Sequence, residues 1–206
     1  SFAGVYANSP KISPYRATGT PGAYYFNGLL DVTGGTYNGD AYISKWDPYT
    51  GGYLGWSLGT RYTVNPADSP GTPTTLSTDA SAVNDSTDTH CYFLVRDNAQ
   101  TPAQYYLVKH DIANQSCIWQ RKINIHLTSG VGSYDVPFCE KLVIDSTDEH
   151  VYGIFSSITM NSVAQPDNIV FKLPTDGGGA GTYTVGNYTV TYGVSNMTVT
   201  AGDILT

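Results

Sequence analysis

Val83-Asn84-Asp85-Ser86-Thr87-Asp88-Thr89-His90-Cys91-Tyr92 returns 60 residues later as Val143-Ile144-Asp145-Ser146-Thr147-Asp148-Glu149-His150-Val151-Tyr152. These two stretches decide the fold. Asp, Ser and Thr side chains hydrogen-bond nearby backbone amides in turns. Val, Ile, Tyr and Phe favour a pleated, half-buried surface. Each stretch therefore predicts one strand entering a polar turn and a Tyr-bearing strand leaving it.

A second motif keeps the same phase. Tyr42-Ile43-Ser44-Lys45-Trp46-Asp47 precedes a Gly-rich turn and Gly55-Trp56-Ser57-Leu58. Tyr106-Leu107-Val108-Lys109-His110-Asp111 precedes a turn and Ile118-Trp119-Gln120-Arg121-Lys122-Ile123. Lys45 and Lys109 are 64 residues apart, and Trp56 and Trp119 are 63 apart. A third copy, Ile169-Val170-Phe171-Lys172-Leu173-Pro174, sets Lys172 another 63 residues on. It then runs into Asp176-Gly177-Gly178-Gly179, where a Trp strand should follow and does not.

Apolar residues within these runs alternate with the strand period of two, and turn clusters such as Asn38-Gly39-Asp40 and Pro66 to Pro73 separate them. No stretch carries an amphipathic helical pattern. The expected fold is all-β, built from repeated four-stranded antiparallel blades in a β-propeller-like arrangement, about three per chain. The approximate units are 1–64, 65–128 and 129–181, with 182–206 a Thr/Val-rich β segment or a linker to a shaft. Closed propellers usually have four to eight blades. The set is therefore expected to be completed by absent sequence or by other subunits. Ser1, with no initiator Met, and the strand-like run to Ala7 are read as the start of a segment of a longer protein.

Composition narrows the function. The 206 residues carry only 10 Lys and Arg against 17 Asp and Glu, for a net charge of −7. Phosphate binding needs clustered positive charge, so nucleic acid is not expected as a partner. No apolar run approaches the ~18 residues of a membrane-spanning helix, so no membrane insertion is expected. Cys91, Cys117 and Cys139 are odd in number and show no CxxC spacing. They predict buried reduced thiols in a protein folded in a reducing cytoplasm.

Several constellations invite a chemical reading. His90 and His150 stand beside Asp88 and Asp148 at equivalent positions, as a repeated metal or acid–base site would. One unit supplies too few ligands for zinc. The Asp-Ser-Thr-Asp turns lack the alternating acidic loop of a calcium site, so plain hairpin turns are expected and no metal. Nucleophile elbows and phosphate loops are missing, so no catalytic residue, cofactor or enzymatic activity is assigned. Gly177 to Gly181 reads as a flexible connection. Trp56 and Trp119 recur at repeat spacing, as core residues do. Trp46 aligns with His110 and is not fixed as aromatic, so it joins Tyr49 and Tyr53 as a candidate binding residue. Tyr24, Tyr25, Tyr62 and Tyr105 are placed with them in or beside loops, where Tyr suits recognition.

The aspartate turn, the Leu-Val-Lys-x-Asp run and Trp119-Gln120-Arg121-Lys122-Ile123 resemble the repeats of bacterial and phage propellers. Lys172-Leu173-Pro174-Thr175-Asp176-Gly177-Gly178-Gly179-Ala180-Gly181-Thr182-Tyr183 and its Thr/Val-rich tail resemble tail-fibre and other virion structural proteins of tailed bacteriophages. The resemblance spans roughly residues 20–206, and it departs from the pattern where Asp88 and Asp148 replace the usual turn glycine. It implies a non-enzymatic structural or adhesive virion component, assembled in the host cytoplasm. The partners it implies are other virion proteins, further copies of the chain and a host-surface glycan or protein. The alternatives are a secreted bacterial carbohydrate-binding propeller and, further off, a propeller glycosidase.

Overall fold

A computed structural model describes residues 11–14, 24–30, 40–46, 60–63, 76–78, 82–97, 104–127, 138–156, 168–185, 188–195 and 197–201. Every regular element among them is a strand. In chain order these are β1 (Lys11–Pro14), β2 (Tyr24–Leu30), β3 (Asp40–Trp46) and β4 (Thr60–Thr63). Next come β5 (Leu76–Thr78), β6 (Val83–Asn84), β7 (His90–Asp97), β8 (Gln104–Asp111) and β9 (Ser116–Leu127). The last are β10 (Phe138–Ile144), β11 (His150–Ser156), β12 (Asn168–Pro174), β13 (Gly181–Val185), β14 (Tyr188–Val194) and β15 (Thr198–Ala201).

The strands form three antiparallel sheets. One has the order β1-β2-β3-β4-β15, the second β13-β14-β9-β8-β7-β5 with β6 also on β7, and the third β10-β11-β12. The fold is all-β and antiparallel, but the sheets do not hold four strands each. The reason lies at the C-terminal end. The β13–β14 hairpin turns away from β12 and adds β14 to the edge of β9, with Tyr192 opposite Ile123. β15 adds to β4 instead. One sheet is thus extended, and β12 is an edge among the described strands.

The central strands are buried on both faces. In β7, Cys91, Tyr92, Phe93, Leu94 and Val95 are all buried, as are Tyr105, Tyr106, Leu107 and Val108 in β8. A strand covered on both sides reads as a continuous apolar run rather than an alternating one. Tyr105 is therefore a core residue inside β8, not a loop residue poised for recognition. Tyr24 and Tyr25 lie in β2 and Tyr62 in β4, again within strands. One face of β7–β8–β9 packs on the β10–β11–β12 sheet in a core that joins Tyr92, Leu94, Tyr105, Leu107 and Ile123 to Leu142, Val151, Phe155 and Ile169.

The sheets also carry local corrections to their register. Ile118 is an extra residue in β9, leaving Trp119 opposite Lys109 and Cys117 opposite His110. Such a bulge re-aims the flanking side chains. Across β11 and β12, Gly153 faces Phe171. At the equivalent place after the other aspartate turn, Phe93 faces Val108. Large and small residues have exchanged strands. A Cβ on Gly153 would come within 2.2 Å of the Phe171 ring. Gly153→Ala is expected to cost about 1–3 kcal/mol by overpacking, read from urea unfolding. Adding Phe171→Val should recover part of that loss. No recovery would show that the ring does not set the cost.

Candidate functional site: the twin aspartate turns and the seam between sheets

Asp85 and Asp145 build their turns in the same way. The Asp85 main-chain carbonyl accepts the Asp88 N–H at 3.1 Å, and the Asp145 carbonyl accepts that of Asp148 at 3.1 Å. Asp85 Oδ1 accepts the N–H groups of Thr89 (2.8 Å) and His90 (3.3 Å). Asp145 Oδ1 accepts those of Glu149 (2.8 Å) and His150 (3.3 Å). The Thr87 and Thr147 hydroxyls donate to the same oxygens. Oδ2 of Asp85 faces His90 Nδ1 at 2.7 Å, and Oδ2 of Asp145 faces His150 Nδ1 at 3.0 Å. An ionised carboxylate only accepts, so Nδ1 carries the proton in both rings.

The residues that replace the expected turn glycine are the strained ones. Asp88 and Asp148 have φ of 56° and 58°. Asp tolerates this left-handed region better than most residues because its short side chain bonds locally. The carboxylates of Asp85 and Asp145 are taken up by donors of their own turns, so neither turn is an oxygen cage for calcium. Among the described residues no group of three or more His, Cys, Asp or Glu could hold a metal. Each histidine is held within its own turn, and the pairing braces a hairpin.

This bracing is visible in the electrostatics. Burial pulls the Asp85 carboxyl upward, but the His90 ring, the Thr89 hydroxyl and two amides outweigh it and hold it below the usual value. At Asp145 a weaker burial effect is overcome by His150, the Glu149 and His150 amides and Thr147, bringing it down to about 2. A lowered folded-state value means that the turn's contribution is present above the unfolded value of ~4 and is lost as pH falls through about 2. Carboxyl-detected NMR should follow Asp145 titrating near 2. A midpoint near 4 would contradict the bracing.

The two turns also touch. Asp148, at the left-handed position of the second turn, reaches across to the first. Its carboxylate accepts the Ser86 N–H at 2.9 and 3.0 Å and also accepts a hydrogen bond from the Ser86 hydroxyl. Beside this clasp, Thr175 C=O accepts from Lys109 Nζ at 3.3 Å and Trp119 Nε1 at 3.1 Å, and Gly177 C=O accepts from Arg121 Nε at 2.7 Å. Arg121 lies over the Trp119 ring. The Gly177 to Gly181 run is thereby an anchored turn, not a flexible connection. Gly177 has φ +76°, and a Cβ there would meet the Trp119 ring at 3.0 Å. Only glycine lets the backbone pass so close to the indole.

Asp148→Asn and Ser86→Ala are each expected to cost about 1 kcal/mol, since the clasp is charge-assisted but solvent-exposed. Their combination should cost clearly less than the sum, as one shared contact requires. Full additivity in urea unfolding would separate the two turns.

The candidate binding residues fare differently. Trp46 ends β3, and its side chain lies outside the described residues, as do Tyr49 and Tyr53 entirely. His110, which aligns with Trp46, is fully buried. Trp119 is half-buried against the core, in keeping with a packing role. Cys91 and Cys139 are buried and Cys117 partly so, and none is joined in a disulfide. Burial pushes the Cys117 thiol up to about 11, far from a reactive thiolate. The clasp's only signal in the sequence is a Ser-x-Asp spacing repeated in both turns. No protein-family model, curated protein or solved structure matches this chain.

Proposed function

We propose that this chain is a non-enzymatic structural or adhesive component of a phage virion, a tail fibre or similar appendage, whose β units act as propeller-like blades. The observation that carries the reading is the recurrence of one hydrogen-bonded unit. Ile112 N–H donates to Thr89 C=O in one unit as Thr175 N–H donates to Glu149 C=O in the next. Lys109 lies 5.5 Å from the Tyr92 ring and Lys172 lies 5.6 Å from that of Tyr152. Stacked, locally braced β units make a rigid module whose loops vary without disturbing the core. The Lys172 to Tyr183 run adds the likeness to virion proteins. In this reading the chain works in the particle beside other virion proteins and further copies of itself, and meets a host-surface glycan or protein.

Mass spectrometry of gradient-purified virions tests this directly. The chain should co-purify with particles at a stoichiometry matching an appendage. Its absence from particles, with recovery in the secreted fraction of a bacterium and binding on a glycan array, would overturn the proposal.

A further inference from the structure

The seam between the second and third units uses one face of the second, and the third unit carries the same face unused. In the second unit Tyr92, Leu94 and Leu107 are buried beneath β10–β12, Lys109 donates to Thr175 C=O, and Ser86 receives Asp148. By the shared register, with Tyr92 opposite Lys109 and Tyr152 opposite Lys172, the equivalent residues are Tyr152, Ile154, Val170, Lys172 and Ser146. There Ile154 is 43% exposed and Val170 66%, with Val143 at 45% beside them. Ser146 is exposed and has no hydrogen-bond partner among the described residues, whereas its counterpart Ser86 makes its bonds to a carboxylate.

We propose that the outer face of the β10–β12 sheet is the docking surface for one more unit of this same kind, a β-meander that lays an apolar face on Ile154 and Val170 and brings a turn carboxylate to Ser146. The occupant follows from the interface already present. The third unit meets the second with Leu142, Val151, Phe155 and Ile169 and with the acid of its left-handed turn position. A fourth unit of that design would meet the third with the same groups. Charge agrees, because Lys141 and Lys172 are both exposed on this sheet and want acidic and carbonyl partners. A second copy of this chain fits less well. Counted back in the sequence from Tyr25, which lies opposite Lys45, the residue corresponding to Asp148 is Pro21, which carries no carboxylate. The matching face of its second unit, Cys91, Phe93, Tyr106 and Val108, is already buried. The inference rests on the repeated units in the proposal above and is independent of the virion.

The test extends the full chain after Thr206 with a Gly/Ser linker and a second copy of residues 138–181, with Val170→Cys in the original unit alone. Maleimide labelling of the introduced thiol is read by peptide mass spectrometry. It should slow about tenfold relative to the unextended Val170→Cys chain, the effect of a docked fraction near nine-tenths. Ser146→Ala in the original unit, or Asp148→Asn in the appended copy, should give back a several-fold part of that protection. Equal labelling with and without the appended unit overturns the proposal. So does an appended unit whose amides exchange as unfolded chain, because the same residues fold on an equivalent face within the protein. Protection that grows with concentration in the unextended chain also overturns it, by assigning the face to a second copy.

Discussion

Phe155→Ala should lower the unfolding free energy by about 3–5 kcal/mol, the range for deleting a buried aromatic ring. Phe155 is 1% exposed and sits where the two sheets meet, 4.6 Å from the Tyr105 ring and 5.1 Å from that of Phe171. Its neighbour provides an internal control. Ile154 points to the other face of the same strand and is 43% exposed. Ile154→Ala should cost less than about 1 kcal/mol, as a surface truncation does. Both come from one urea titration series. Similar losses for the two would mean that the three-stranded sheet does not pack with this face inward. The contrast also separates stability from docking. Phe155 holds the existing seam, whereas Ile154 lies on the face assigned to a further unit.

The turns were readable because they are local. Asp85 and Asp145 satisfy amides four and five residues away, so identity and spacing already contain the interaction. The strands leaving them, β7 and β11, begin at His90 and His150, where the polar run ends. The sheets were less readable. Nothing in Thr182 to Thr200 says that β14 will choose the edge of β9, or β15 that of β4, since strand pairing between distant segments depends on which edges remain free. Tyr105 reads as a loop residue for a related reason. A strand buried on both faces loses the alternation that marks its two sides, and two adjacent tyrosines then look like loop aromatics. The Gly177 run looked flexible because glycine permits freedom, yet here the Trp119 ring occupies the space a side chain would take.

The candidate site divides along the same line. Each Asp–His pair follows from a single turn and was visible as a repeat of residue types. The clasp joins Ser86 to Asp148 across 62 residues. It exists only because the sheets stack so that the left-handed position of one turn faces the open amide of the other. A repeated motif therefore reported a repeated element, and the stacking direction decided which copy of each residue is used. Asp148 and Ser86 are engaged with each other, and Ser146 is left over. An unequal use of equal residues is the mark of a head-to-tail contact, in which the two contacting sheets present different faces to each other.

His110, the residue that aligns with Trp46, couples the stability of the β7–β8 layer to acid. Its side chain is fully buried on β8, opposite Cys117 on β9 and Cys91 on β7. Burial depresses the imidazole to about 4, although neighbouring Asp111 pulls the other way. An unfolded histidine takes its proton near 6.5. Below that pH the unfolded chain binds a proton that the folded chain refuses, so stability falls as pH drops from about 6.5 to about 4. Across that window the loss should reach about 3 kcal/mol, at ~1.4 kcal/mol per unit of pKa difference. The braced carboxylates contribute lower down, since Asp145 releases its turn only near 2. Urea midpoints at pH 7, 5.5 and 4.5 should therefore decline for the native chain and stay nearly level for His110→Leu. The leucine variant removes the proton-linked group at a position where the first unit already carries an apolar ring. A native chain whose midpoint does not move between pH 7 and 4.5 would show that the imidazole is reached by water, and that the β7–β8 layer is open on the side where the structure closes it.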